Sequence, residues 1–153
     1  MHLRKPVETE LDYLSTLCLK SKAYWGYDAD FIEACRDELT LSRSDLTSDH
    51  LIVAEDNDKI IGMAQVHIDD ASKCFLDKLY VDSNHLGSGV GKALFQWAKA
   101  TAKRLRKANM YVVADPNAAG FYRRMGAILI GDTPSGSIPG RMLPLYVIRL
   151  NPT

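Results

Sequence analysis

Three glycines at alternate positions, Gly87, Gly89 and Gly91, stand in the run Leu86-Gly87-Ser88-Gly89-Val90-Gly91-Lys92, directly before an Ala/Leu-rich segment. A backbone without Cβ atoms curls tightly there and leaves several N–H groups pointing at one anion. If a helix starts at that turn, the positive end of its dipole adds to the attraction. The chemistry suited to such a stretch is the cradling of a pyrophosphate. Two familiar phosphate loops fail on spacing. In a Walker A loop the first glycine would be Leu86 and the terminal Ser/Thr would be Ala93. In the dinucleotide fingerprint the third glycine would be Lys92, and no acidic residue in a following strand appears about 20 residues on.

The remaining features are shared with a third kind of loop. Leu79-Tyr80-Val81, a short polar stretch, the glycines and Lys92-Ala93-Leu94 resemble motif A of the GNAT superfamily of acyl-CoA-dependent N-acyltransferases. Asp115-Pro116-Asn117-Ala118-Ala119-Gly120-Phe121-Tyr122-Arg123-Arg124-Met125-Gly126-Ala127 is similar to that family's motif B, in the family's order. One departure is plain: where the family usually carries Arg or Gln, before the first loop glycine, this chain has Leu86. The resemblance implies acetyl-CoA as cosubstrate, with no metal. It implies that Leu79, Tyr80 and Val81 hold the pantetheine arm and polarise the thioester through backbone groups. Residues Leu86, Gly87, Ser88, Gly89, Val90, Gly91 and Lys92 would form the pyrophosphate cradle, and Asn117 would contact the pantetheine. Tyr122 falls where the family places its general acid, close to the CoA sulfur. A plainer reading of Tyr122, as a core aromatic, stands beside it.

Moving an acetyl group to an amine needs a neutral amine in line with the carbonyl, a donor for the oxyanion and a proton for the leaving thiolate. No covalent enzyme intermediate is required, and the chain shows neither a Cys–His nor a G-x-S-x-G arrangement. A phenol of pKa ~10 is a reasonable donor to a thiolate of similar basicity. Three candidates for the base stand together: Asp77, placed with Leu79 by period two; His67, with the better intrinsic pKa, ~6.5; or a water. For the acceptor, Tyr24, Trp25 and Tyr27 offer large rings with polar tips. Ser135 and Arg141 lie in a long irregular stretch that reads as a lid, and Arg141 suits a carboxylate. The expected function is N-acetyltransfer to a primary amine by direct attack in a ternary complex. The alternative is an acyl-CoA-binding sensor or interaction module without turnover.

The elements that must position these groups can be read in part. The spacing predicts a first strand over His2 to Lys5, a helix from about Val7 to Leu19, and a loop from Lys22 to Tyr27. A second helix capped by Asp28 or Asp30 follows. Strands are expected over Leu51–Glu55, Ile60–Ile68 and Phe75–Val81, the first two joined by a turn at Asn57-Asp58-Lys59. The helix after the glycines buries Val90, Ala93, Leu94, Trp97, Ala98, Thr101 and Leu105. A strand over Met110–Ala114 and a short helix from Pro116 to Gly126 come next. Strands over Ala127–Ile130 and Leu145–Leu150 end the chain, joined by an aperiodic connection from Gly131 to Pro144. The class is mixed α/β, with the strands on either side of the glycine-loop helix parallel. The resemblance adds flanking helices and a mostly antiparallel sheet whose central parallel strands splay.

Length and composition bound the rest. With 153 residues, 46% hydrophobic, 25% charged and no formal net charge, the chain reads as a single domain over residues 1–153. No basic excess points to nucleic acid and no long apolar run points to a membrane. Three scattered cysteines argue for a reducing compartment, and the absence of an apolar h-region agrees with a cytoplasmic setting. The expected partner is a small-molecule or peptide amine; a homodimer is left open.

Overall fold

Turn chemistry and period two together make residues 50 to 81 a three-strand antiparallel meander. The computed structural model, which describes residues 1–150, has β2 at His50–Asp56, β3 at Lys59–Ile68 and β4 at Cys74–Val81. Asn57 and Asp58, at φ 50° and 62°, close the β2–β3 hairpin with the left-handed pair that such a two-residue turn demands. Strand β1 (His2–Arg4) adds to the outer edge of β2. Strands β5 (Asn109–Val113), β6 (Ile128–Pro134) and β7 (Met142–Arg149) complete a seven-stranded sheet in the order β1-β2-β3-β4-β5-β7-β6. Every pairing is antiparallel except β4 with β5.

Both faces of the sheet are covered. Helix α4 (Val90–Arg104) buries Val90, Leu94, Phe95, Ala98, Thr101 and Ala102 against one face. Phe95 and Ala102 widen the stripe beyond that read from the sequence, and Trp97 is only partly buried. At Gly62 a Cβ would stand 3.0 Å from side-chain atoms of both Leu94 and Val90, so α4 rests directly on β3. The other face carries α1 (Leu11–Ala23) and α2 (Ala29–Leu39), whose Leu14, Leu17, Cys18, Cys35 and Leu39 pack on Leu51, Val53 and Met63. Asp28 caps α2, accepting from the Phe31 backbone N–H at 2.8 Å.

Three expectations are corrected. Helix α1 runs on through Lys22 and Ala23, and the irregular stretch begins only at Tyr24. A short helix α3 (Arg43–Ser48) was not foreseen; Ser42 and Asp45 box its start, the Ser42 N–H donating to Asp45 Oδ2 at 2.7 Å. The connection from Gly131 to Pro144 is half strand, since Gly131 pairs with Leu145 and Pro134 with Met142. This end of the β6–β7 hairpin carries no apolar period because little of it faces the core, so its ladder rather than burial defines it. Only residues 135–141 remain irregular.

Between β4 and β5 the parallel ladder has a single paired position, Phe75 with Tyr111. Beyond it the two strands part. Each is held on its other side by a full antiparallel ladder, so the sheet opens without losing either half.

Candidate functional site

The parting of β4 and β5 makes a cleft of about 460 Å³. Strand β4 supplies one wall from Leu76 to Val81, and the end of β5 with Ala114 and Asp115 supplies the other. The glycine loop closes one end, and Lys22 and Trp25 of the α1 terminus stand at another border.

The loop geometry follows from its glycines. Gly87 and Gly89 take φ 79° and 89°, a region that side chains with a Cβ avoid, and Gly89 is the N-cap of α4. Gly91 is needed for proximity, since a Cβ there would lie 3.3 Å from the Phe121 ring. Leu86, Gly87, Gly89, Gly91 and Lys92 all line the cleft. Ser88 and Val90 do not: the Ser88 hydroxyl donates to the His85 carbonyl, and the Val90 side chain is buried beneath the sheet. Lys92 and Arg124, both at the cleft, form no ion pair among the described residues. An anion on the first turn of α4 therefore meets backbone N–H groups, a helix dipole and two free cations.

Tyr122 is carried on the short helix α5 (Ala119–Arg124), after Asp115 caps the preceding turn and Pro116 opens it. Its ring packs edge-on to Phe121 at 5.2 Å and beside Phe95 at 6.3 Å, while the residue still lines the cleft. Burial pushes the phenol well above its ordinary range, and the nearby Asp115 charge adds to this. The hydroxyl is thus held protonated, with no hydrogen-bond partner among the described residues. Leu79, Tyr80 and Val81 line the opposite wall, where the Tyr80 ring reaches into the α1–α2 core.

A polar cluster sits around Asp115, built from residues remote in sequence. Tyr27 Oη lies 3.0 Å from Asp115 Oδ2, accepts from Asn117 Nδ2 at 3.1 Å and from Arg141 Nη2 at 2.7 Å. Lys22 Nζ pairs with Asp115 at 3.0 Å, both side chains being mostly covered. Burial would raise the Asp115 carboxyl, but the Asn117 backbone N–H and Lys22 outweigh it and hold the pKa below the usual range. Arg141 also lies against the stacked Tyr27 and Phe31 rings, 4.9 Å from the Phe31 centroid. Trp25 lines the cleft; Tyr24 packs edge-on to it at 5.2 Å and is more exposed. Tyr27, Ser135 and Arg141 stand behind the wall rather than on it. The Ser135 hydroxyl accepts from the Ser137 and Ile138 backbone N–H groups, and Ser137 is tied to Glu38, so the loop is pinned onto α2.

The two side-chain candidates for the base part company. A register shift leaves Asp77 unpaired, since Gln65 faces Lys78 and Val66 faces Leu76. Period two therefore fails at Asp77, yet the residue lines the cleft, its carboxylate 3.0 Å from Lys78 Nζ. Lys78 is buried and bonds Gln65, which in turn bonds Asp45 and Asp49. His67 ends this chain outside the cleft, with Nδ1 2.8 Å from Asp49, whose hydrogen bond raises the imidazole pKa. Sequence reading missed Lys22, Asp115, Lys78 and Arg124 as site residues. Asp115 and Arg124 lie within the family motif and Lys22 at the start of the aromatic stretch; Lys78 carries no local signal. Cys18 and Cys74 are buried thiols pushed up to about 12 and about 11, unsuited to act as nucleophiles.

Among solved structures the fold is shared widely. The GCN5-related N-acetyltransferase of Rhodopseudomonas palustris matches with a TM-score of 0.82 at 20% identity, over 97% of this chain and 95% of that one. PaiA N-acetyltransferase of Thermoplasma acidophilum, solved with coenzyme A, gives 0.76 at 19%, over 97% and 98%. YncA of Salmonella typhimurium, solved with its cofactor acetyl-CoA, gives 0.72 at 19%, over 100% and 95%. At such identities these likenesses establish the fold alone. No curated protein matches the sequence. A sequence model of the acetyltransferase (GNAT) family, however, matches residues 20–127, more than half of the chain and both glycine loop and Tyr122 helix, and the chain therefore belongs to that family.

Proposed function

We propose that this chain is an N-acetyltransferase that moves an acetyl group from acetyl-CoA to a primary amine by direct attack. The observation that carries the reading is one cleft with a glycine-capped helix at one end and a protonated, unpartnered phenol on its wall. The pyrophosphate is held by the backbone of Gly87 to Gly91, with Lys92 and Arg124 supplying the charge that Leu86 cannot. The pantetheine arm takes the place of the missing ladder along β4, donating to and accepting from Leu79 to Val81. Backbone groups of the same stretch polarise the thioester carbonyl.

The amine nitrogen attacks the carbonyl carbon, the C–S bond breaks, and the thiolate takes its proton from Tyr122. The amine's own proton leaves to Asp77, directly or through water. The acceptor enters past Trp25 and Tyr24. The cluster of Tyr27, Asp115 and Arg141, with Ser135 fixing the loop that carries Arg141, lies behind this border; its net positive charge, Lys22 and Arg141 against Asp115, favours an amine that also bears a carboxylate.

The test is thiol release from acetyl-CoA over a panel of primary amines, alongside a melting shift with CoA. Amine-dependent release is expected, greatest with carboxylate-bearing amines. A CoA-dependent shift without release over the whole panel would replace this reading with that of an acyl-CoA sensor.

A further inference from the structure

Buried polar atoms are nearly always hydrogen-bonded. Among the described residues one side-chain nitrogen is sealed from solvent and has no partner, Nδ1 of His85. The residue ends a one-turn 3₁₀ helix, Ser83–His85, between β4 and the glycine loop. Its backbone is tied on both sides. The His85 N–H donates to the Asp82 carbonyl at 2.8 Å, and the His85 carbonyl accepts from the Ser88 backbone N–H and hydroxyl. The imidazole lines the cleft beside Leu86 and Gly87, with its side chain 32% exposed. Asp82 Oδ1 stands 4.0 Å from Nδ1, beyond hydrogen-bond reach. A neutral imidazole has one N–H and one lone pair, so it cannot donate both to Asp82 and to an anion in the cleft. An imidazolium can. The other cations at this end of the cleft are Lys92 of α4 and Arg124 of α5, which oppose an extra proton until an anion arrives between them.

We propose that His85 is a side-chain ligand of the CoA pyrophosphate and takes up a proton from solvent as the cosubstrate binds. Nε2–H then donates to a phosphate oxygen, and Nδ1–H donates to Asp82 across the closed gap that leaves it orphaned. The new charge stands beside Leu86, which has none to give. The inference rests on the acetyl-CoA reading above. It adds that affinity for the cosubstrate is coupled to pH and weakens as protons become scarce.

Calorimetric titration of the full chain with dephospho-CoA, near pH ~7.5 in two buffers of unlike ionisation enthalpy, tests this. That probe keeps the pyrophosphate and lacks the 3′-phosphate, whose own titration would mask the signal. The wild type should bind with net uptake of a fraction of a proton. His85→Gln keeps an N–H donor but cannot be charged, so uptake should vanish while Kd rises about threefold. His85→Phe should raise Kd about tenfold, also without uptake. A histidine that only shapes the loop would leave proton uptake unmoved. Uptake unchanged in His85→Gln, no uptake in the wild type, or an unchanged Kd in His85→Phe would overturn the proposal and leave the acetyl-CoA reading standing. A wild type that binds neither dephospho-CoA nor CoA would overturn both.

Discussion

The phenol of Tyr122 carries the sharpest single-residue consequence. Tyr122→Phe keeps the ring among Phe95 and Phe121 and deletes only the hydroxyl proposed as proton donor, so kcat should fall ~10²–10⁴-fold with the acetyl-CoA KM nearly constant. The loss should shrink with a thioester of more acidic thiol. Because the phenol stays protonated well above its ordinary range, kcat of the wild type should show no alkaline fall through the usual tyrosine region. Activity within about twofold of wild type would leave Tyr122 as packing only. Arg141→Gln belongs at the same scale. It removes a cation held against Tyr27 and Phe31 behind the cleft wall, and through the lost charge should raise KM about threefold for carboxylate-bearing amines while sparing uncharged ones. An equal change for both kinds of acceptor would refute the acceptor-carboxylate reading. The place of Tyr122 on the cleft was legible beforehand because its neighbours in sequence announce it. Arg141 was legible only as a candidate, since its partner Tyr27 lies 114 residues away and no local pattern encodes that meeting.

Among the elements, the start of α4 can be tested directly. Gly89→Val places a β-branched side chain at φ 89° and should remove most of the CoA-induced rise in melting temperature. An unchanged shift would sink the cradle assignment. Asp49, which ends helix α3, offers a pH test. His67 has a raised pKa through Asp49, so the folded state holds its proton more tightly than the unfolded chain does. Its stabilising contribution is complete below about pH 6.5 and is lost as pH rises through the folded value. The imidazole is 44% exposed, which limits the effect to under about 1 kcal/mol. His67→Gln should flatten that part of the melting-temperature profile, and an unaltered slope would show that the ion pair contributes nothing. Periodicity made β2 to β5 and α4 readable, and turn residues fixed the hairpin at Asn57-Asp58. It failed at Asp77, where a bulge breaks the alternation, and along residues 131–134, where a ladder without a buried face leaves no apolar rhythm. Six residues were too few for α3 to show a stripe, although Ser42 and Asp45 carried its cap signal.

On the scale of the whole molecule, the parallel junction of β4 and β5 was deducible from one crossover helix, but its opening was not. Nothing in either strand's composition says that Phe75 and Tyr111 will be the only facing pair. That junction has a mechanical meaning. Four strands lie on one side of it and three on the other, and the β4–β5 seam contributes one paired position to holding them together. A pantetheine arm lying along β4 would act as a mortar between the two blocks, supplying rungs the polypeptide lacks. Shielding from cleavage would then depend on occupancy: at acetyl-CoA levels below Kd, the three-strand block should loosen first and be clipped first. Limited proteolysis with and without CoA would read this as ligand-suppressed cuts near residues 105–109 and 124–128, and cutting unaffected by CoA would refute it. A cell short of acetyl-CoA would on this account lose the protein itself as well as its turnover, tying the enzyme's lifetime to the supply of the molecule it consumes.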